Sequence, residues 1–219
     1  MIASAGCAVQ APRADIGTLS WLALGDSYTI GEGVPEDGRW PVQLAQALRA
    51  EGVALADPRI IATTGWTTDE LDSAIDAADP LGDYSFVSLL IGVNNQYRGR
   101  SVEEYRREFA ALLERAIGFA GNRAERVLVL SIPDWGVTRF GRESRRDPAQ
   151  VARELDAYNA AAHAICDAHG VAFVDVTAVS RQHGAEAAML ADDGLHPSAA
   201  MYARWTQAAL PVARRLLER

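Results

Sequence analysis

The sequence predicts an α/β fold, a three-layer α/β/α sandwich on a parallel sheet, and three observations carry that expectation. Short apolar segments of strand character alternate with amphipathic helical segments along the chain. The clearest strand, Ser85 to Ile91, is apolar at nearly every position, as expected of a strand covered by helices on both faces. Strand after strand stops at glycine, serine or asparagine, which gathers turn-forming and reactive residues at one edge of the sheet. The 219 residues suffice for one domain with its own core, assigned to residues 17–219 after a disordered leader at residues 1–16.

Taken in order, Trp21 to Gly25 is the first strand, broken by Gly25-Asp26-Ser27 and a glycine-rich turn through Gly33. Pro41 suits the first turn of a helix that runs to about Ala50 and stops at Gly52. Arg59 to Thr63 is the second strand, ending at Thr64-Gly65-Trp66; Thr67 then opens a helix with Glu70 at capping-box spacing. The third strand runs into Gly92-Val93-Asn94-Asn95. Ser101 starts the next helix, whose Tyr105, Phe109, Leu112 and Ala116 recur at helical spacing and form a core stripe. Arg126 to Ser131 is the fourth strand. Residues 137–147 are arginine-rich and aperiodic, a long surface loop or short lid. Asp147-Pro148 opens a helix that buries Val151, Leu155, Tyr158, Ala162 and Ile165 and ends at Gly170. Val171 to Val176 is the fifth strand. A last helix begins near Pro197, with a kink expected at Pro211.

Composition narrows the function. A formal charge of -8 lacks the basic footprint that nucleic acid requires, and it disfavours anionic membranes. No window is apolar for long enough to span a bilayer, so no membrane insertion is expected. Cys7 and Cys166 are read as free thiols. Cytoplasm is the default location, or a secreted or periplasmic one if a signal peptide has been removed. Gly31-Glu32-Gly33 starts like a dinucleotide fingerprint, but Glu36 stands where its third glycine belongs. Phosphate-loop, His-Glu-x-x-His and Gly-x-Ser-x-Gly motifs are missing.

What remains lies at the strand ends. A serine hydroxyl such as Ser27 needs a base, and histidine suits because its ordinary pKa lies near neutrality. His196 follows Asp193 by three residues, a spacing that lets a carboxylate hold the imidazole in the required tautomer. The Ser27 and Gly65 backbone N–H groups and the Asn94 amide could converge as oxyanion donors. Alone, these residues read as a turn serine, a loop histidine, a loop glycine and an Asx turn; together they describe nucleophilic acyl transfer.

Gly25-Asp26-Ser27, Gly65, Gly92-Val93-Asn94 and Asp193-Gly194-Leu195-His196, in that order, resemble the four blocks of the GDSL or SGNH hydrolase family. The resemblance implies a flavodoxin-like five-stranded sheet and a serine esterase or lipase acting on a small-molecule ester without cofactor or metal. It assigns Ser27 as nucleophile, His196 as base, Asp193 as its orienting acid, and Ser27, Gly65 and Asn94 as oxyanion donors. Tyr28 replaces the usual leucine, and Asn95 the usual aspartate, departures that bear on substrate rather than mechanism. Trp66, Gln96, Tyr97, Asp134 and Trp135 follow strand ends and are expected to line the pocket. His163, His169 and His183 are read as surface or structural residues. Alternative readings are a carbohydrate O-acetyl esterase, a thioesterase or lysophospholipase, an acyltransferase on the same residues, and a non-catalytic flavodoxin-like binding domain.

Overall fold

Five parallel strands set the frame: β1 (Trp21–Gly25), β2 (Arg59–Ala62), β3 (Phe86–Leu90), β4 (Val127–Leu130) and β5 (Ala172–Val174), in the order β2-β1-β3-β4-β5. The computed structural model describes residues 17–78 and 81–218; the expected leader and Cys7 lie outside them. β1, β3 and β4 are buried at every position, whereas the edge strands β2 and β5 are only partly covered. Ser88, the polar residue within β3, is buried because its hydroxyl accepts the Trp21 indole N–H at 3.1 Å.

The order is the flavodoxin-like one, and it decides where a ligand goes. From β1 the chain steps one way to β2 and then back past β1 to β3. Helices leaving β1 and β3 therefore diverge to opposite faces and open a crevice at the C-terminal ends of these strands. Ser27 follows β1, and Asn94 follows β3.

The larger helices are α2 (Trp40–Ala50), α3 (Thr68–Ala78), α5 (Val102–Phe119), α7 (Pro148–His169) and α9 (Ala199–Leu217); α1 (Ser27–Ile30), α4 (Val93–Tyr97), α6 (Arg139–Glu143) and α8 (Thr177–His183) are one or two turns long. α2 packs on α9, while α5 packs on both α3 and α7, two groups that cover the two faces of the sheet. Tyr105 of α5 stacks on Tyr158 of α7 with ring centroids 4.5 Å apart.

Helix starts follow local chemistry. The Thr67 N–H donates to Glu70 at 2.8 Å, Ser101 accepts the Glu104 N–H at 3.1 Å, and Asp147 caps α7 with Pro148 in its first turn. The four short helices escape a periodicity argument because none covers enough turns to show one. Residues 137–147 are accordingly not one continuous loop: α6 lies within them. α9 stays helical through Pro211, which sits on the exposed side. Among the described residues, no helix is long and apolar enough to cross a membrane.

Candidate active site

Ser27 opens α1 directly beyond β1, and its surroundings leave its polar groups available. Asp26 caps the helix by accepting the Tyr28 N–H at 3.0 Å. Gly31, at φ +74°, ends it after one turn by donating to the Ser27 carbonyl at 3.0 Å. A Cβ at Gly25 would stand 2.5 Å from the Leu90 carbonyl oxygen, so glycine there lets β1 turn against β3. Neither the Ser27 nor the Gly65 N–H enters the hydrogen bonds that join the turns and loops.

The opposite side of the crevice comes from the far end of the chain. His196 Nδ1 and Asp193 Oδ2 are 2.6 Å apart. Asp193 Oδ1 accepts the N–H groups of Leu195 and His196 at 2.8 and 3.0 Å. An ionised carboxylate only accepts, so imidazole Nδ1 carries the proton between the two side chains. Burial pushes the Asp193 carboxyl up, but its hydrogen bonds with His196 and the two N–H groups, with the His196 charge, outweigh this and hold it below the ordinary range. The loop is tied to α6: the Phe140 N–H donates to the Gly194 carbonyl at 2.9 Å, and Arg139 Nη2 to the Asp192 carbonyl at 2.6 Å. Tyr28 meets the His196 ring edge-on, with centroids 5.8 Å apart.

Ser27, Gly65, Asn94 and His196 share one cavity of about 220 Å³. The serine and histidine both line it without being hydrogen-bonded to each other. Asn94 Nδ2 donates to the Trp66 carbonyl at 2.8 Å, which leaves its second hydrogen free. Gly65 takes φ +90°, a conformation that favours glycine.

Among the residues expected to line the pocket, Tyr97 and Trp135 do so, and Trp66, Gln96 and Asp134 do not. Trp66 contributes its carbonyl to Asn94. Gln96 is buried behind the wall, bonded to the Trp135 indole and to Glu154. Asp134 is buried against Arg181 at 2.9 Å and caps the turn at Trp135. The lining also includes Tyr28, Thr64, Val93, Phe140 and Leu195. Val93 and Leu195 were visible as the apolar neighbours of Asn94 and His196, and Phe140 as the one large apolar residue in the arginine-rich segment.

Two neighbours are polar for different reasons. Asn95 is buried where the family pattern usually has aspartate. It accepts the Thr68 N–H at 3.1 Å and donates to the Thr68 hydroxyl at 2.6 Å and to Glu108 at 3.4 Å. Asp26 is fully buried with Oδ2 unpartnered, and burial pushes its carboxyl up to about 7. His163 stacks on Phe173, His169 meets the Ile165 carbonyl and His183 pairs with Glu186, so none of the three belongs to the cavity. Cys166 is free and buried, and burial pushes its thiol up to about 12.

Comparison with known proteins agrees with this architecture. No curated protein matches the chain. Among solved structures, TesA superposes with a TM-score of 0.72 at 20% identity, over 90% of this chain and 99% of its own. The lipase/acylhydrolase from Enterococcus faecalis gives 0.69 at 19% identity, over 90% and 96%. Axe2, an acetylxylan esterase from Geobacillus stearothermophilus, gives 0.67 at 20% identity, over 91% and 96%. At such identities the likeness establishes the fold. Family membership rests on the model of the GDSL-like lipase/acylhydrolase family, which matches residues 23–204. With that match spanning the sheet from β1 into α9, the chain belongs to the GDSL-like lipase/acylhydrolase family.

Proposed function

We propose that the protein hydrolyses carboxylic esters through an acyl-enzyme formed on Ser27. The observation that carries this reading is the Asp193–His196 pair opening onto the cavity that holds Ser27. His196 Nε2 takes the Ser27 hydroxyl proton as Oγ bonds to the ester carbonyl carbon. The carbonyl oxygen becomes negative and accepts from the Ser27 and Gly65 N–H groups and the free Asn94 Nδ2 hydrogen. Collapse breaks the bond to the alcohol oxygen, which takes the proton back from His196 Nε2 as the alcohol leaves. Water then gives a proton to His196 and attacks the acyl carbon. The second collapse returns that proton to Ser27 Oγ and releases the acid. Asp193 keeps its negative charge throughout and stabilises the transient imidazolium.

Every group in this cycle is a side chain or a backbone amide, so the reading calls for no cofactor. The test is Ser27→Ala. Turnover of a short-chain chromogenic ester should fall by roughly 10⁴-fold or more, and covalent labelling by a fluorophosphonate should vanish. Retained turnover in the alanine variant removes the assignment.

A further inference from the structure

The cavity has one wall that hydrolysis alone does not require. Tyr97 ends α4, Trp135 follows β4 and Phe140 lies on α6, yet the three rings meet. Tyr97 and Trp135 pack edge to face at 5.4 Å, with Phe140 at 6.0 Å from Trp135 and 6.5 Å from Tyr97. Tyr97 is 50% exposed, a large ring displayed at the cavity mouth.

A polar chain fixes this wall from behind. The Trp135 indole N–H donates to Gln96 at 2.9 Å, and Gln96 donates to Glu154 at 2.5 Å. The same Glu154 oxygen accepts from Arg146 at 2.8 Å. The Arg146 guanidinium lies 5.5 Å from the Trp135 ring centroid and 5.9 Å from that of Tyr97, within cation–π range of both. One cation held by a carboxylate thus braces two rings from different elements.

We propose that Tyr97, Trp135 and Phe140 form a braced aromatic cleft that selects esters whose acyl group carries a single planar ring, with Arg146 and Glu154 as positioning residues. This rests on the ester-hydrolase reading above. The size fits: an apolar cavity of about 150 Å³ admits benzene, and about 220 Å³ adds room for a short link to the carbonyl. A planar ring gains offset or edge-on contacts that a puckered ring forfeits, worth on the order of tenfold over two such contacts. We assign the cleft to the acyl side because Tyr97 shares α4 with the oxyanion donor Asn94, whereas the alcohol leaves by way of His196.

The test compares methyl phenylacetate with methyl cyclohexylacetate, and benzyl acetate with cyclohexylmethyl acetate as the alcohol-side control. The first pair should differ about tenfold in kcat/KM in favour of the planar ring, and the second by less than about twofold. Tyr97→Ala and Phe140→Ala should draw the first ratio toward one; both sites are less buried than Trp135, whose replacement risks the fold. Arg146→Ala should raise KM for the phenylacetate more than it lowers kcat, with Arg146→Lys partly restoring it. A ratio near one in the unmodified enzyme, a ratio indifferent to Tyr97→Ala and Phe140→Ala, or a preference carried by the benzyl pair overturns the cleft while leaving ester hydrolysis intact. Failure to cleave any ester, with no fluorophosphonate on Ser27, overturns the hydrolase reading and the cleft with it.

Discussion

Two turns at the sheet edge each carry an aspartate beside a candidate catalytic residue, and the protein treats the two acids in opposite ways. In the loop around His196, Asp193 uses both oxygens and is held below the ordinary carboxylate range. In the turn after β1, Asp26 is fully buried, satisfies one oxygen through the Tyr28 N–H and is pushed up to about 7. Adjacency to the serine therefore does not decide which acid is held ionised. The proposed cycle needs an acid that stays ionised to stabilise a transient imidazolium, and hydrogen bonding, more than chain position, keeps Asp193 so.

The largest test of that contrast is Asp193→Asn. The amide retains an acceptor for the backbone N–H groups but no longer enforces a proton on His196 Nδ1. Activity should drop by roughly 10⁴-fold in kcat with little change in KM. A loss of less than tenfold in steady-state ester hydrolysis would mean that Asp193 only shapes its loop.

Asp26→Asn should act on stability. An ordinary aspartate ionises near pH 4 in the unfolded chain, whereas the folded carboxyl holds its proton to about 7. Folding is therefore penalised increasingly as pH rises from about 4 to 7, and fully above that, by up to about 4 kcal/mol. Asparagine accepts the same Tyr28 N–H without that ionisation. Urea unfolding at pH 5 and pH 8 should show a smaller alkaline loss in the variant than in the parent. Parallel losses in the two proteins would show that Asp26 does not titrate in this window. Ester turnover at pH 6 should change by less than about tenfold, in contrast to Asp193→Asn.

The sheet and the polar half of the site were legible because both are local. β3 announces itself by its apolar run; Ser27, Gly65 and Asn94 follow the ends of β1, β2 and β3, and His196 stands three residues after Asp193 in the loop that leads into α9. Parallel topology brings Ser27, Gly65 and Asn94 to one edge without further information, and the loop ahead of α9 carries His196 to them. The aromatic half was legible only in part. Tyr97 and Trp135 follow strand ends, but Phe140 sits on a helix of five residues that shows no periodicity. Gln96 has the same sequence credentials as Tyr97 and faces the other way, toward Trp135 and Glu154. Which of two neighbours on one helical turn enters a cavity is a rotational detail set by tertiary packing. Nothing in a pattern of residue types encodes it.

Asn95 extends the comparison to a third carboxyl position and carries the smallest of these effects. The usual family residue there is aspartate, and this chain has a buried amide instead. A carboxylate already stands beside it: Glu108 lies 3.4 Å from the Asn95 nitrogen and also accepts from the Thr68 hydroxyl. Asn95→Asp would keep the acceptor for the Thr68 N–H, lose both donated hydrogen bonds and set two carboxylates side by side. Such a pair either shares a proton or repels. The variant should lose about 2 kcal/mol of stability at pH 8 and recover part of it at pH 5, where one carboxyl is protonated more readily. Replacing Glu108 with glutamine in the same chain should rescue it, because the amide restores a donor opposite the new carboxylate. Additive losses in Asn95→Asp, Glu108→Gln and the double variant would refute the coupling; a double variant more stable than Asn95→Asp alone is the expected result.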